Sequence, residues 1–241
     1  MKTKRVLCAL SLAVLLTAMT VPMWAASVTV TVLGNMDPYL AGMPDGSTAS
    51  GGWDVAPNES PLLALTGFQP GSVLTFSTTS TCGFSYFGGC GPSSADGDSS
   101  GGPSDYAPEN GLSQVLAPWN SLLGVFLDAS QPSLTLPPGT LDFLSGIGTS
   151  FATLSPDLKQ VFFIGDGLTG LGTGSVQQFT APAGATRLFL ASKDGYGWYN
   201  NGGYQDVTIN YTGSGGVPEP ASMFLLGGGL LGLAFVRSRK R

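Results

Sequence analysis

The chain has 241 residues, among them 36 glycines, 17 prolines and no histidine, with a formal net charge of −5. Its basic residues crowd the two ends, so the stretch between them holds only Lys159, Arg187 and Lys193 against fourteen acids, a net of −11. Such a body will not bind nucleic acid or an anionic membrane surface by charge, and without histidine it cannot build a Ser-His-Asp triad.

In chain order, Lys2, Lys4 and Arg5 precede an apolar stretch over residues 6–21, and small residues follow at Ala25 and Ala26. This predicts a secretory signal peptide over residues 1–25, cut after Ala25 or Ala26. Cys8 lies early in the apolar stretch, away from the cleavage point, so it leaves with the peptide and lipidation is not expected. One β-rich domain is expected over residues 26–212, long enough for a full core.

Residues 27–33, Ser-Val-Thr-Val-Thr-Val-Leu, alternate with period two and predict a strand. Further strands are expected at 72–77, 121–127, 161–164, 175–180, 187–192 and 206–211. Residues 57–60, 141–144 and 156–160 suit short helical turns or turns, and 35–52 and 96–110 read as loops. Asp166-Gly167 suits a hairpin turn. Many short strands between Gly/Pro turns predict an all-β fold, an antiparallel β-sandwich or jelly roll. Cys82 and Cys90 enclose seven residues, and in an oxidising compartment they predict a disulfide closing a surface loop.

The chemistry concentrates in residues 187–211, where a strand ends, a polar loop follows and another strand begins. The loop carries Asp194, the pair Asn200-Asn201 and several glycines. Hard oxygens on a Gly-bent loop are what calcium takes, six to eight of them with backbone carbonyls included. The same residue types also populate hairpins for backbone reasons alone, and that reading stays open. Tyr196, Trp198 and Tyr199 can form an aromatic platform for the apolar face of a sugar. Asp96 and Asp98 form a second cation loop or, more simply, a solvated acidic loop. Many carboxylates could serve a glycosidase, but no pair stands out, and catalysis is not expected.

Residues 174–211 resemble the calcium-dependent galactose-binding lectins of the PA-IL type, which are galactose-binding-like jelly rolls. The resemblance runs from Ser175-Val-Gln-Gln-Phe-Thr-Ala-Pro-Ala-Gly-Ala185 through Asp194 to Asn200-Asn201. Residues 116–127 and 162–167 look like the family's preceding strand and hairpin. The resemblance implies calcium held by the side chains of Asp194, Asn200 and Asn201 and by the carbonyls of Trp198 and Tyr86. It implies a sugar on that calcium, with Tyr196 or Trp198 as its stacking face. The histidine with which the family grips the sugar has no counterpart here.

Past a Gly/Ser linker comes Val217-Pro218-Glu219-Pro220, then an apolar run bounded by Ala221 and Val236, then Arg237, Ser238, Arg239, Lys240 and Arg241. The run predicts a membrane helix over 221–236, at the short end of spanning length. The basic cluster resists crossing and stays cytoplasmic. These three parts in order resemble the PEP-CTERM sorting signal. The resemblance implies an exosortase as partner, transient anchoring in the inner membrane, and delivery to the envelope, surface or extracellular matrix. The expected function is therefore that of an exported, sorted protein that binds carbohydrate or exopolysaccharide. The alternative is a structural matrix protein on the same fold.

Overall fold

The computed structural model describes residues 24–92 and 94–213, and residues Ala25–Gly213 form one compact unit. The expected tail helix 221–236 and residues 1–23 of the expected signal peptide lie outside the described residues. Trp24 and Ala25 continue the first strand, Trp24–Leu33.

Two sheets share the core. In the larger, Trp24–Leu33 lies beside the last strand, Tyr204–Gly213, followed by Val73–Thr79, Gln178–Thr180 and Thr153–Leu154. In the smaller, the order is Val161–Phe163, Leu122–Leu127, Arg187–Ser192 and Leu62–Thr66. The fold is all-β as expected. Pairing is antiparallel throughout the smaller sheet. It is not antiparallel everywhere: Thr153–Leu154 runs parallel to Gln178–Phe179, and Val115–Leu116 runs parallel to Leu141–Asp142.

Phenylalanines tie the sheets together. Phe179 of the larger sheet meets Phe76 edge-on at 5.0 Å, Phe151 at 5.7 Å and Phe162 of the smaller sheet at 5.7 Å. Phe162 stacks on Phe126 at 5.3 Å, and Phe126 meets Phe68 at 5.8 Å. Gly124 makes this layer possible. A Cβ there would stand 2.6 Å from Phe162 Cζ and 2.8 Å from Ile164 Cδ1.

Leu122–Leu127 is buried along its whole length. A strand covered on both faces reads as a continuous apolar run instead of an alternation. Part of its cover comes from residues 35–52, expected as loop. This segment holds the 3-10 turn Pro38–Leu40, which packs on Leu122–Leu127 and Arg187–Ser192. Tyr39, Leu40, Ala41 and Ala49 are all buried there.

The expected strand 175–180 is two pieces. Thr173–Val176 forms a hairpin with Leu168–Gly170, whereas Gln178–Thr180 joins the larger sheet. The break falls at Gln177, which is fully buried and whose side-chain amide donates to the carbonyls of Thr149 and Phe151. Residues 141–144 begin as the strand Leu141–Asp142 and continue as a turn, without a helix. Leu62–Thr66 was not expected, because its neighbouring turn residues mask a short edge strand.

Phe179 touches aromatic rings from both sheets. Phe179→Ala should therefore lower unfolding free energy by about 3–5 kcal/mol, while Leu136→Ala, at an 89% exposed position, should change it by less than about 0.5 kcal/mol. Urea denaturation followed by tryptophan fluorescence measures both.

Candidate functional site

The strand pairings bring four loops to one end of the sandwich. Ser192 lies opposite Leu122, and Asp206 lies opposite Thr79. The chain after Thr79, before Leu122, and between Ser192 and Tyr204 therefore meets at that end. The first strand arrives there too, since Gly34 donates to the Gly203 carbonyl at 2.9 Å. The loops lie backbone on backbone. A Cβ on Gly203, which has φ +78°, would stand within 1.9 Å of the Gly83 carbonyl oxygen, so only glycine fits.

Cys82 and Cys90 form the expected disulfide. The loop they close docks through Ser85, which exchanges two backbone hydrogen bonds with Gly202 at 3.0 and 2.8 Å. This presents Tyr86 and Phe87 beside the 193–203 segment.

These loops line a cleft of about 510 Å³. Its walls are Trp53, Tyr86, Phe87, Trp119, Tyr196 and Tyr199, with Asp105, Asp194, Gly195 and Asn200. Trp53 and Tyr199 lie near-parallel, with centroids 5.8 Å apart and planes at 16°. They are 58% and 49% exposed. Tyr196 is also exposed and meets Tyr106 edge-on at 6.4 Å.

Of the expected site residues, Asp194, Tyr196, Asn200 and Tyr86 do share this cleft. Trp198 does not, and its expected role as a stacking face is corrected. It is fully buried, its Nε1 donates to the Ser192 carbonyl at 3.0 Å, and it packs edge-on against Tyr39 at 6.0 Å. The 3-10 turn Trp198–Asn200 fans successive side chains around its axis. Trp198 points into the core, and Tyr199 and Asn200 face solvent.

Asp54 fixes that turn. Its two carboxylate oxygens accept the backbone N–H groups of Trp198 at 3.0 Å and Tyr199 at 2.8 Å. Asp37, likewise fully buried, shares a hydrogen bond with Asp54. Burial pushes the Asp37 carboxyl well above its ordinary 3.8, and the Asp54 and Glu109 charges add to the rise. Asp37 also accepts from the Tyr39 backbone N–H at 2.8 Å.

Lys193 sits fully buried behind the cleft wall, its Nζ 4.0 Å from the Trp119 ring centroid. It donates to the Asp194 carbonyl at 2.5 Å and to Ser104 Oγ at 3.3 Å. Burial lowers the ammonium to about 7, partly opposed by Asp194, Asp105 and Asp37. The Asp194 side chain is raised by burial, although it accepts from the Gly195 N–H and from Asn201.

The calcium set can be tested against these contacts. The Asp194 carboxylate already takes two donors, and the Trp198 carbonyl takes the Asn201 N–H at 3.0 Å. Asn201 Oδ1 is buried with no hydrogen-bond partner. Among the described residues no three Asp, Glu, His or Cys side chains group to hold a metal. Of the five expected ligands, the Asp194 carboxylate and the Trp198 carbonyl are thus already engaged by protein donors, while Asn201 Oδ1 is left without a partner. Asp96 and Asp98 are engaged in turn contacts: Asp96 accepts the Asp166 N–H at 3.1 Å and Asp98 accepts from Asn120 at 3.0 Å. Asp166 accepts the Leu168 N–H at 2.8 Å in a turn, but not the expected hairpin, because Val161–Phe163 pairs with Leu122–Leu127 and Leu168–Gly170 with Thr173–Val176.

Sequence reasoning missed Trp53, Asp54, Asp105, Trp119 and the burial of Lys193. The one local signal was Trp53 itself, a large aromatic after two glycines in a polar segment.

Residues 216–240 match the family described as the PEP-CTERM protein-sorting motif. The chain carries an exosortase sorting signal. The motif implies an exported, membrane-anchored protein that an exosortase processes and sorts outward. No curated protein and no solved structure matches the chain, so the lectin resemblance of residues 174–211 gains no support. Among the described residues no helix is long and apolar enough to cross a membrane.

Two outcomes follow from the buried groups. Asp54→Asn replaces one of the two acceptor oxygens by an NH2 that faces a backbone N–H donor, and should cost about 2–3 kcal/mol. Asp37→Asn keeps a donor toward Asp54 and an acceptor for Tyr39, and should cost less than about 1 kcal/mol. Urea titration at neutral pH separates them. Lys193 loses its proton near pH 7 in the folded chain, against an ordinary value of 10.5. Between these values the unfolded chain binds more protons, so the contribution of Lys193 makes stability rise with pH. That contribution is complete above the upper value and is lost as pH falls through the lower one. Melting temperatures across this window should show the rise flattened in Lys193→Met, which keeps the stem packed on Trp119.

Proposed function

We propose that the exported domain binds carbohydrate through the aromatic cleft, without catalysis. One observation carries the reading: Trp53 and Tyr199 present near-parallel, half-exposed rings beside the exposed Tyr196, with Asp105 and Asn200 at the edge. Pyranose rings offer an apolar C–H face to such rings and hydroxyls to the polar edge. A cleft of this volume lies within the usual range for small-ligand sites, about 300–1,000 Å³. Contiguous exposed apolar surface of this kind marks an interaction site.

Calcium is not needed for this reading, and no contact in it runs through the ion. The alternative, a structural matrix protein, leaves the exposed rings without a role. The sorting tail supports a destination where glycan is the surrounding material.

Trp53→Ala should weaken binding to a retarding polysaccharide by about 30-fold, as loss of a buried anchor does. Affinity electrophoresis against a panel of neutral and charged polysaccharides reads it. Retardation by at least one gel is expected, with the same migration in calcium and in EDTA. Free migration of wild type in every gel would return the protein to the structural reading. Retardation only in calcium would restore the ion.

The tail is tested separately. Replacing Arg237, Arg239, Lys240 and Arg241 by Gln removes the charges that resist crossing. The variant should leave the inner-membrane fraction and escape processing, seen as an unshortened chain by mass spectrometry. Normal trimming and fractionation of that variant would show that the basic cluster is not read.

A further inference from the structure

Resting on the carbohydrate reading above, we infer that the cleft selects glycans bearing free amino groups over neutral ones and rejects uronate polymers. The wall carries six aromatic rings and two carboxylates, and no cationic side chain lines it. A ring face attracts a cation through its quadrupole, and a nearby carboxylate adds Coulomb attraction that grows as the cleft excludes water.

The Asp105 carboxylate is the free one. Its backbone N–H is fixed by the Gly195 carbonyl at 2.8 Å, and among the described residues nothing donates to its side chain. The position is exposed. A protonated sugar amine has a direct partner there, with Tyr196 and Trp119 close by on the same wall.

The basic group that attracts this carboxylate, Lys193, does so from behind the wall, and no basic group meets a sugar in the cleft. Lys193 has no exposed surface, so it partly offsets the carboxylate charge and touches no ligand. Arg187 donates to the carbonyls of Asp128 and Ser130, both at 2.7 Å. Lys159 donates to Thr135 Oγ1 and the Leu136 carbonyl, both at 2.5 Å. These are the basic side chains of the body. Its net of −11 also draws a polycation toward the surface and repels a polyanion.

The test uses the full chain, purified in a mild non-ionic detergent, and three oligosaccharides of equal length: glucosamine, N-acetylglucosamine and galacturonate. Calorimetry is run at mildly acidic pH, where the sugar amine is protonated. The glucosamine oligomer should bind at least about tenfold more tightly than its acetylated twin, and the galacturonate should give no heat. Asp105→Asn should erase the preference, bringing the glucosamine oligomer to the affinity that the same variant shows for its acetylated twin. Asp157→Asn, at an exposed position off the cleft wall, should keep the preference, which separates a cleft contact from general attraction to an acidic surface. Equal or tighter binding of the acetylated oligomer, still lost in Trp53→Ala, would overturn the amine preference while the carbohydrate reading stands. Persistence of the preference in Asp105→Asn, or its loss in Asp157→Asn, would overturn the assignment to this cleft. No binding of any oligomer or polysaccharide would remove both.

Discussion

The carboxylate of Asp54 decides which way the functional loop faces. By accepting the N–H groups of Trp198 and Tyr199, it satisfies donors that a short 3-10 turn leaves free and holds that turn in one orientation. Trp198 is driven into the core against Tyr39, and Tyr199 is turned out against Trp53. Trp53 is the residue before Asp54, so one side chain positions both halves of the aromatic platform. A carboxylate buried this deeply needs hydrogen bonds to be tolerated. The two N–H donors supply them.

The acids around this point differ in role because their surroundings differ. The Asp37 carboxyl is pushed well above its ordinary value by burial and by its acidic neighbours. Asp194 is raised by burial but committed to Gly195 and Asn201. Asp105 is exposed and accepts nothing from the protein. Lys193 sits among them as a buried cation of weakened basicity, cushioned by the Trp119 ring. The result is a wall with its fixed charges hidden and one carboxylate presented. That separation leaves Asp105 as the carboxylate open to whatever enters the cleft.

Much of the scaffold was legible in the residues. Ser27 to Leu33 alternate with period two because only one face of that strand is buried, and the apolar run at 122–127 announces a strand covered on both faces. The tail was legible because three chemically distinct parts follow in order. The cleft was only half legible. Asp194, Tyr196, Tyr199 and Asn200 are close in sequence, so their concentration of polar and aromatic groups can be read directly. Trp53, Asp105 and Trp119 reach them only through strand pairings that no local pattern reveals. The inward turn of Trp198 depends on Asp54, a residue 144 positions away. The break at Gln177 depends in the same way on carbonyls from residues 149 and 151. Long-range hydrogen bonds to buried polar groups are the common cause of these misreadings.

The sorting motif and the cleft occupy separate parts of the chain. The matched sorting motif covers residues 216–240, whereas every residue lining the cleft lies within Ala25–Gly213. The charges divide in the same way, with basic residues at the ends and acids in the body. The basic ends suit interaction with the anionic cytoplasmic face during export. An acidic body gains nothing from that surface, and its few cations are already bound to carbonyls. What the body retains is a set of aromatic faces and one presented carboxylate at the end of the sandwich where four loops meet. Cys82–Cys90 and the Gly202–Gly203 crossing hold those loops against one another, so the rings are largely in place before a ligand arrives. Under the proposed carbohydrate reading, a preformed platform loses less ordering entropy on binding, which favours the weak, repeated contacts that an extended polymer offers.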